Sequence, residues 1–146
     1  MFIRFQTLLF LVLFIGSSYA GAVAVVSAAP TKVSAAKVFF IEPKDGAVVA
    51  KIFKVKFGSE GLKIKAAGQD VDEKTSGHYH VLVDQGFFPD NAVIPADAAH
   101  LHYGKGQTEA ELTLPPGTHK LTLQFADGAH RSGGERLSQT ITVNVK

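Results

Sequence analysis

The feature that most constrains this chain is the pattern that runs from Lys37 to the C terminus, where short β-type runs are separated by Gly, Pro and Asp. Within Ile52–Phe57, the apolar residues Phe53, Val55 and Phe57 alternate with Lys54 and Lys56, as a strand with one buried face requires. No segment of this region shows a helical period. The runs that predict strands are Val38–Ile41, Ile52–Phe57, His78–Asp84, His100–Tyr103, Glu109–Leu114, His119–Phe125 and Leu137–Val145.

About seven short strands joined by tight turns predict an all-β fold, an immunoglobulin-like antiparallel β-sandwich. A small β-barrel is the alternative, because composition alone does not separate the two. The length of 146 residues is typical of one domain. The chain has no cysteine, so a disulfide cannot stabilise it and the hydrophobic core must suffice.

The N-terminal 20 residues have the layout of a secretory signal peptide. Arg4 precedes an apolar run, Leu8–Ile15, and Ser18-Tyr19-Ala20 offers small side chains at the −3 and −1 positions of a cleavage site. The apolar run is shorter than the roughly 20 residues that span a bilayer. The alternative is an uncleaved anchor, since the mostly apolar Ala22–Ala29 would lengthen the span.

The chain therefore divides into a signal peptide at residues 1–20, a flexible leader at 21–36 and a β-sandwich domain at 37–146. The leader is low in complexity and has no aromatic residue. The predicted location is the periplasm or the extracellular medium. Contact with a membrane is expected only through the signal segment, if that segment is retained.

The charge balance argues against one class of partner. Lys and Arg number 15 and Asp and Glu number 13, which gives a formal net charge of +2. Proteins that bind nucleic acid electrostatically carry a basic patch or stripe. No nucleic-acid partner is therefore predicted.

Four of the six histidines form two His-x-His pairs, His78 with His80 and His100 with His102. On a strand, residues i and i+2 point to the same face and lie roughly 6–7 Å apart. Two imidazoles at this spacing can share one metal ion. If the two strands are neighbours, four imidazoles converge on one patch.

The residues between the paired histidines, Tyr79 and Leu101, point to the opposite face and are predicted to pack into the sandwich. The histidines then lie on the side away from the core. Replacing His80 or His102 with alanine is accordingly expected to leave the fold largely intact.

Two further histidines stand alone. His130 follows a core strand in a loop, and it is either an additional ligand or part of a turn that Asp127 stabilises. His119 is in phase with Leu121 and Leu123, so it is predicted to be a partly buried, hydrogen-bonded residue rather than a ligand.

The predicted site is a divalent metal centre formed by His78, His80, His100 and His102, with His130 as a possible additional ligand. Imidazole suits Zn(II), Cu(II), Ni(II) and iron. The chain has no cysteine and its one methionine is the initiator, so an all-nitrogen site for Cu(II) or Zn(II) is favoured. One alternative is that these histidines are solvated surface residues. Another is that the pairs hydrogen-bond across the sheet and fix the loop Gln85–Ala99.

The function that follows is that of an exported metal-binding protein, a Cu(II) or Zn(II) carrier or buffer. The alternative is a non-catalytic, immunoglobulin-like interaction module that binds another protein of the cell envelope. A copper or zinc metalloenzyme is less favoured and no catalytic residue is assigned, since a Gly-x-Ser-x-Gly nucleophile motif is also missing from the sequence.

An ordered set of motifs carries a family resemblance. The motifs are Phe40–Gly46, Gly77–Asp84, Val93–Asp97, His100–Glu109, Pro115–His119 and Phe125–Ser132. The set resembles the family of small secreted bacterial domains known as domain of unknown function 4399, over about Val38 to Lys146. The resemblance implies an exported single β-domain and no known activity.

Overall fold

The computed structural model describes residues 35–146. The predicted signal peptide and most of the predicted leader lie outside the described residues. Within residues 35–146 no helix has the length and apolar character needed to cross a membrane.

The regular structure of the described chain is almost entirely β, as the alternating pattern predicts. The strands are β1 (Lys37–Glu42), β2 (Ala47–Val49), β3 (Ile52–Glu60), β4 (Lys63–Ile64), β5 (Ser76–Val83), β6 (His100–Tyr103), β7 (Glu109–Thr113), β8 (Gly117–Asp127) and β9 (Ser138–Val145). A 3-10 turn, Glu135–Leu137, precedes β9. The short strands β2 and β4 have no predicted counterpart, because two or three residues are too few to show an alternation.

Two sheets form the domain. The smaller sheet has the order β1-β3-β7, and the larger has the order β2-β9-β8-β5-β4, with β6 also paired to β5. The long strands pair antiparallel, whereas β2 with β9 and β4 with β5 are parallel. The prediction of an all-β, immunoglobulin-like sandwich is confirmed.

The core lies between the two sheets and takes residues from both. Phe57 of the smaller sheet packs against Tyr79 and Tyr103 of the larger one, with ring centroids 5.3 and 5.1 Å away. Alternation decides which residues enter, since every second residue of a strand faces inward. The remaining buried members include Val38, Phe40, Phe53, Val55, Val81, Leu112, Leu121, Leu123, Phe125, Ile141, Val143 and Val145.

The outer face of the larger sheet is covered as well, by the connections around residues 84–99 and 128–137. Thr122 Oγ1 donates to the Gln85 carbonyl at 2.8 Å. Gln124 accepts the Phe88 N–H at 3.0 Å and donates to the Gly134 carbonyl at 2.9 Å. These bonds hold both connections on the sheet, so β5 is buried on both faces.

Candidate metal centre

The pairing of β5 with β6 brings histidines from both His-x-His motifs together. His80 lies directly opposite His102 in this antiparallel pair. His78 lies two residues before His80, so both rings project from the outer face of the sheet. His130 approaches from the loop that follows β8. We call His78, His80, His102 and His130 the four-histidine cluster.

The rings of the cluster contact one another closely. His78, His80 and His102 each offer a ring nitrogen, and these three atoms all lie within 4.8 Å of one another. Nε2 of His78 is 3.2 Å from Nε2 of His80, and Nε2 of His102 is 3.2 Å from Nε2 of His130. The six centroid separations among the four rings run from 4.8 to 6.1 Å.

Asp127 holds the loop that presents His130. Its Oδ1 accepts the backbone N–H groups of Ala129 and Arg131, both at 3.0 Å. Its Oδ2 accepts bonds from Lys74 Nζ at 2.8 Å and from Arg131 Nε at 2.9 Å. The turn that Asp127 was predicted to stabilise is therefore present, and it places the His130 ring beside those of His78 and His102.

His130 has a backbone φ of 63°, in the left-handed region that most side chains avoid. Such a conformation costs on the order of 1–3 kcal/mol and persists only where its surroundings hold it. Here the His130 N–H donates to the Asp127 carbonyl at 2.9 Å. With this unfavourable backbone conformation, the His130 ring lies against the other three.

The cluster runs from the interior to the surface. The side chains of His78 and His80 are fully buried, whereas His102 is exposed and His130 half-buried. The expectation that His80 lies outside the core is therefore wrong. The loops that cover the outer face of β5 bury it, and strand alternation does not reveal them.

Burial also keeps the inner rings uncharged. It lowers the pKa of His78 to about 4 and that of His80 to about 3, and repulsion from neighbouring rings adds to both shifts. The pKa of His102 is lowered by desolvation and then by the charge of His130. Asp127 acts on His78 in the opposite direction and is outweighed. Neutral imidazole is the form that binds metal.

Two buried nitrogens of the cluster lack a hydrogen-bond partner among the described residues, namely Nδ1 of His78 and Nδ1 of His80. An unsatisfied buried polar atom costs about 1–3 kcal/mol. Each of these rings meets only a second imidazole through its other nitrogen. The one hydrogen bond between the two rings therefore does not offset the cost of burying both of them.

His100 is not brought into the cluster, although the sequence places it among the ligands. Its Nδ1 lies 2.9 Å from Oδ1 of Asp97, and its ring packs edge-on against Phe88 at 5.8 Å. It lies opposite Leu82 in the β5–β6 pair, two residues before His102 on β6. Sequence reasoning did not identify Asp97 as a partner of His100. The only signal in the sequence is that the two residues are three positions apart.

His119 is hydrogen-bonded on both ring nitrogens, in agreement with its prediction as a satisfied residue. Nδ1 lies 2.8 Å from Asp84 Oδ2, and Nε2 lies 3.0 Å from the Pro115 carbonyl. Since both partners are acceptors, the protonated ring is favoured. The pKa of His119 is raised, above all by the hydrogen bond to Asp84.

Gly104 makes room for the exposed ring of the cluster. A Cβ at this position would overlap Cε1 and Nε2 of His102. Gly104 is the first residue after β6 and lies in the turn that follows it, two residues after His102. Sequence reasoning missed this residue, and the signal is a glycine two positions after a strand histidine.

Comparisons with known proteins identify a family whose function is unassigned. The family model described as "Domain of unknown function (DUF4399)" matches residues 55–146, which confirms the resemblance stated above. Among curated proteins no match was found.

Two solved structures share part of the fold. One is the endo-β-1,4-mannanase from Thermotoga petrophila, with 20% identity and a TM-score of 0.45 over 80% of this chain and 21% of that chain. The other contains the fibronectin(III)-like modules of Clostridium thermocellum CbhA, with 14% identity and a TM-score of 0.42 over 76% of this chain and 95% of that chain. This chain thus spans about a fifth of the mannanase, and similarity at this level does not transfer an activity.

Proposed function

The chain belongs to the domain-of-unknown-function family DUF4399, and from this starting point we propose that it is an exported protein that binds one divalent metal ion, Cu(II) or Zn(II). His78, His80, His102 and His130 supply the ligand nitrogens. The protein acts as a carrier or buffer of the ion outside the cytoplasm. Export rests on the signal-like residues 1–20.

The observation that carries the proposal is the close approach of two pairs of Nε2 atoms, each at 3.2 Å. Two imidazole nitrogens bound at about 2.0–2.1 Å to one tetrahedral ion are separated by about 3.3 Å. One N–H···N hydrogen bond in each pair would account for each contact taken singly, but not for the gathering of the two pairs into one group. Two contacts among four mutually packed rings, with two buried Nδ1 atoms unpartnered, fit a shared cation better.

The donor set favours borderline metals. All four ligands are imidazoles, which suit Cu(II) and Zn(II), and the mature chain has no sulfur ligand. Asp127, the carboxylate whose charge acts on His78, is already paired with Lys74 and Arg131. Hard cations such as Ca²⁺ and Mg²⁺ bind through oxygen and are disfavoured here.

Four protein ligands also favour storage or transport over catalysis. Catalytic zinc sites keep one coordination position open for water or substrate, whereas structural sites are closed by four protein ligands. The four-histidine cluster offers four nitrogens. This supports a carrier or buffer over a metalloenzyme.

The test is a calorimetric titration of the purified protein with Cu(II), Zn(II) and Ni(II), with bound metal measured by mass spectrometry. We expect one ion per chain. A His102→Ala, His130→Ala double variant is expected to lose most of the affinity, whereas the matched control His119→Ala keeps it.

Equal affinity in all three proteins, or no binding by the unmodified protein, would overturn the proposal. The second result would favour the interaction-module hypothesis. Export is tested separately by N-terminal sequencing of the protein from the producing cell, and Met1 on a cytoplasmic protein would contradict it.

A further inference from the structure

A groove of about 490 Å³ lies between β6 at the edge of the larger sheet and β7 at the edge of the smaller sheet. Four side chains along it bear cation-binding groups, namely Asp97, His100, His102 and Glu111. One of them, His102, also belongs to the four-histidine cluster. The groove therefore joins solvent to the exposed end of the cluster.

His100 is held in the groove as a prepared ligand. Its Nδ1 donates to Asp97 Oδ1, so the lone pair lies on Nε2, which makes no hydrogen bond among the described residues. Asp97 Oδ1 is itself fixed by the backbone N–H groups of Ala99 and His100, at 2.8 and 3.0 Å. A carboxylate on the second ring nitrogen is how proteins orient metal-binding histidines and raise their basicity.

Burial restricts the route by which an ion reaches the cluster. His78 and His80 are fully buried, and the loops on the outer face of the larger sheet cover them. His102 is the exposed member of the group of three. Of these three rings, an ion arriving from water therefore meets His102 first, and His100 lies two residues away on the same face of β6, roughly 6–7 Å along the strand.

We propose that His100, held by Asp97, forms with His102 a transient loading site through which a hydrated divalent cation enters and leaves the four-histidine cluster. This inference rests on the proposed function and deepens it. His102 is common to both sites and transfers the ion between them.

The chemistry of the two sites gives the transfer its direction. The loading site offers two nitrogens beside the carboxylates of Asp97 and Glu111, which attract a cation at long range. The cluster offers four nitrogens in a largely buried setting. Cu(II) and Zn(II) prefer the imidazole-rich site, so exchange is fast at the mouth of the groove and retention is strong inside.

The experiment measures the rates of loading and removal separately from the affinity. The chain has no tryptophan, and Tyr79 and Tyr103 lie in the domain, so Cu(II) binding can be followed by quenching of tyrosine fluorescence in a stopped-flow instrument. Removal is followed after mixing the Cu(II)-loaded protein with EDTA. The proteins compared are the unmodified chain, His100→Ala, Asp97→Asn and the control His119→Ala.

We expect His100→Ala to slow loading and removal together, by about tenfold each, with an unchanged equilibrium affinity. Asp97→Asn keeps an acceptor for the N–H bonds but lacks the charge, so it is expected to slow both steps less. His119→Ala lies outside the groove and is expected to match the unmodified protein.

Unchanged rates in His100→Ala would overturn the loading site while leaving the proposed function in place. A weaker affinity at an unchanged loading rate would also overturn it, because His100 would then be a ligand of the final centre. No Cu(II) binding by the unmodified protein would overturn both. Thermal unfolding of Asp97→Asn separates a structural role, which would lower the midpoint without changing the rates.

Discussion

The six histidines of the domain occupy two kinds of environment. In the four-histidine cluster each ring faces other rings, and no carboxylate of residues 35–146 is hydrogen-bonded to a ring nitrogen. His100 and His119 each have Nδ1 on a carboxylate, that of Asp97 and of Asp84 respectively.

The pKa of the two buried cluster rings, His78 and His80, and the pKa of His119 are therefore shifted in opposite directions. The pKa falls to about 4 for His78 and about 3 for His80, whereas the pKa of His119 rises. A proton completes the hydrogen bonds of His119, but in the cluster it adds a repelled charge. The neutral cluster is instead suited to a cation that several lone pairs share.

The largest effect is expected from breaking the cluster at its exposed end. His102→Ala removes one of the proposed ligand nitrogens without opening a deep cavity, because His102 is exposed. Metal affinity should fall by about a hundredfold or more, since even indirect partners of a metal site cost 10–100-fold when lost. Calorimetric titration with Cu(II) and Zn(II) measures the change.

His100→Ala is the matched control for that prediction. It removes the same side chain from the same strand two residues away, and its equilibrium affinity should stay at the level of the unmodified protein. If both variants lose affinity equally, the boundary drawn between the two environments is wrong and His100 belongs to the centre.

Acid should destabilise the metal-free domain through the buried rings. The unfolded chain protonates His78 near pH 6.5, but the folded chain does so only near pH 4. Between these values the unfolded state binds more protons, so the free energy of unfolding falls as pH decreases, by about 3 kcal/mol from His78 alone. Urea unfolding between pH 7 and pH 4 measures the slope.

A His78→Gln variant should show a smaller slope over the same pH range, whereas His119→Gln should retain the full decrease. A pH profile that His78→Gln leaves unchanged would contradict the cluster as its cause. Saturating Zn(II) should stabilise the folded state at neutral pH, because a ligand that binds only the folded protein shifts the equilibrium by mass action.

Strand alternation predicted the faces of the sheet correctly. Tyr79 is 1% exposed within the core and Leu101 packs against it, as period two requires. The same rule placed the paired histidines on the outer face. These results follow from local sequence, since the direction of a strand side chain depends only on its position along the strand.

The rest of the site depends on contacts that local sequence does not contain. Alternation does not show that residues 84–99 fold over β5 and bury His80. Alternation also does not show that the His100 ring is hydrogen-bonded to Asp97 and lies outside the cluster. Nor does it show that the Asp127 turn places the His130 ring in the cluster. These outcomes are decided by loops, and loop conformation has no period from which to predict it.

A smaller effect is expected from displacing His102 without removing it. Gly104→Ala would place a methyl group against the His102 ring, and Gly104 has no positive φ that would strain alanine. Metal affinity should fall by about tenfold, because the ring leaves its position while its nitrogen remains. Gly86→Ala is the control, since its Cβ meets open space. Equal affinities in the two variants would contradict the positioning role.

The smallest effect on stability is expected from a change at Asp84, the carboxylate that is hydrogen-bonded to His119. Asp84→Asn weakens the hydrogen bond and removes the charge by which Asp84 raises the pKa of His119. The raised pKa stabilises the fold below the pKa of the unfolded chain, and this contribution disappears as pH rises through the folded value. Asp84 has a side chain 52% exposed, so the change in unfolding free energy should stay below about 1 kcal/mol.

NMR titration of the His119 ring should show its pKa moving down toward the ordinary value, with metal affinity unchanged. A pKa that does not move would show that the Pro115 carbonyl alone sets it, and a loss of metal affinity would mean that the two environments are coupled.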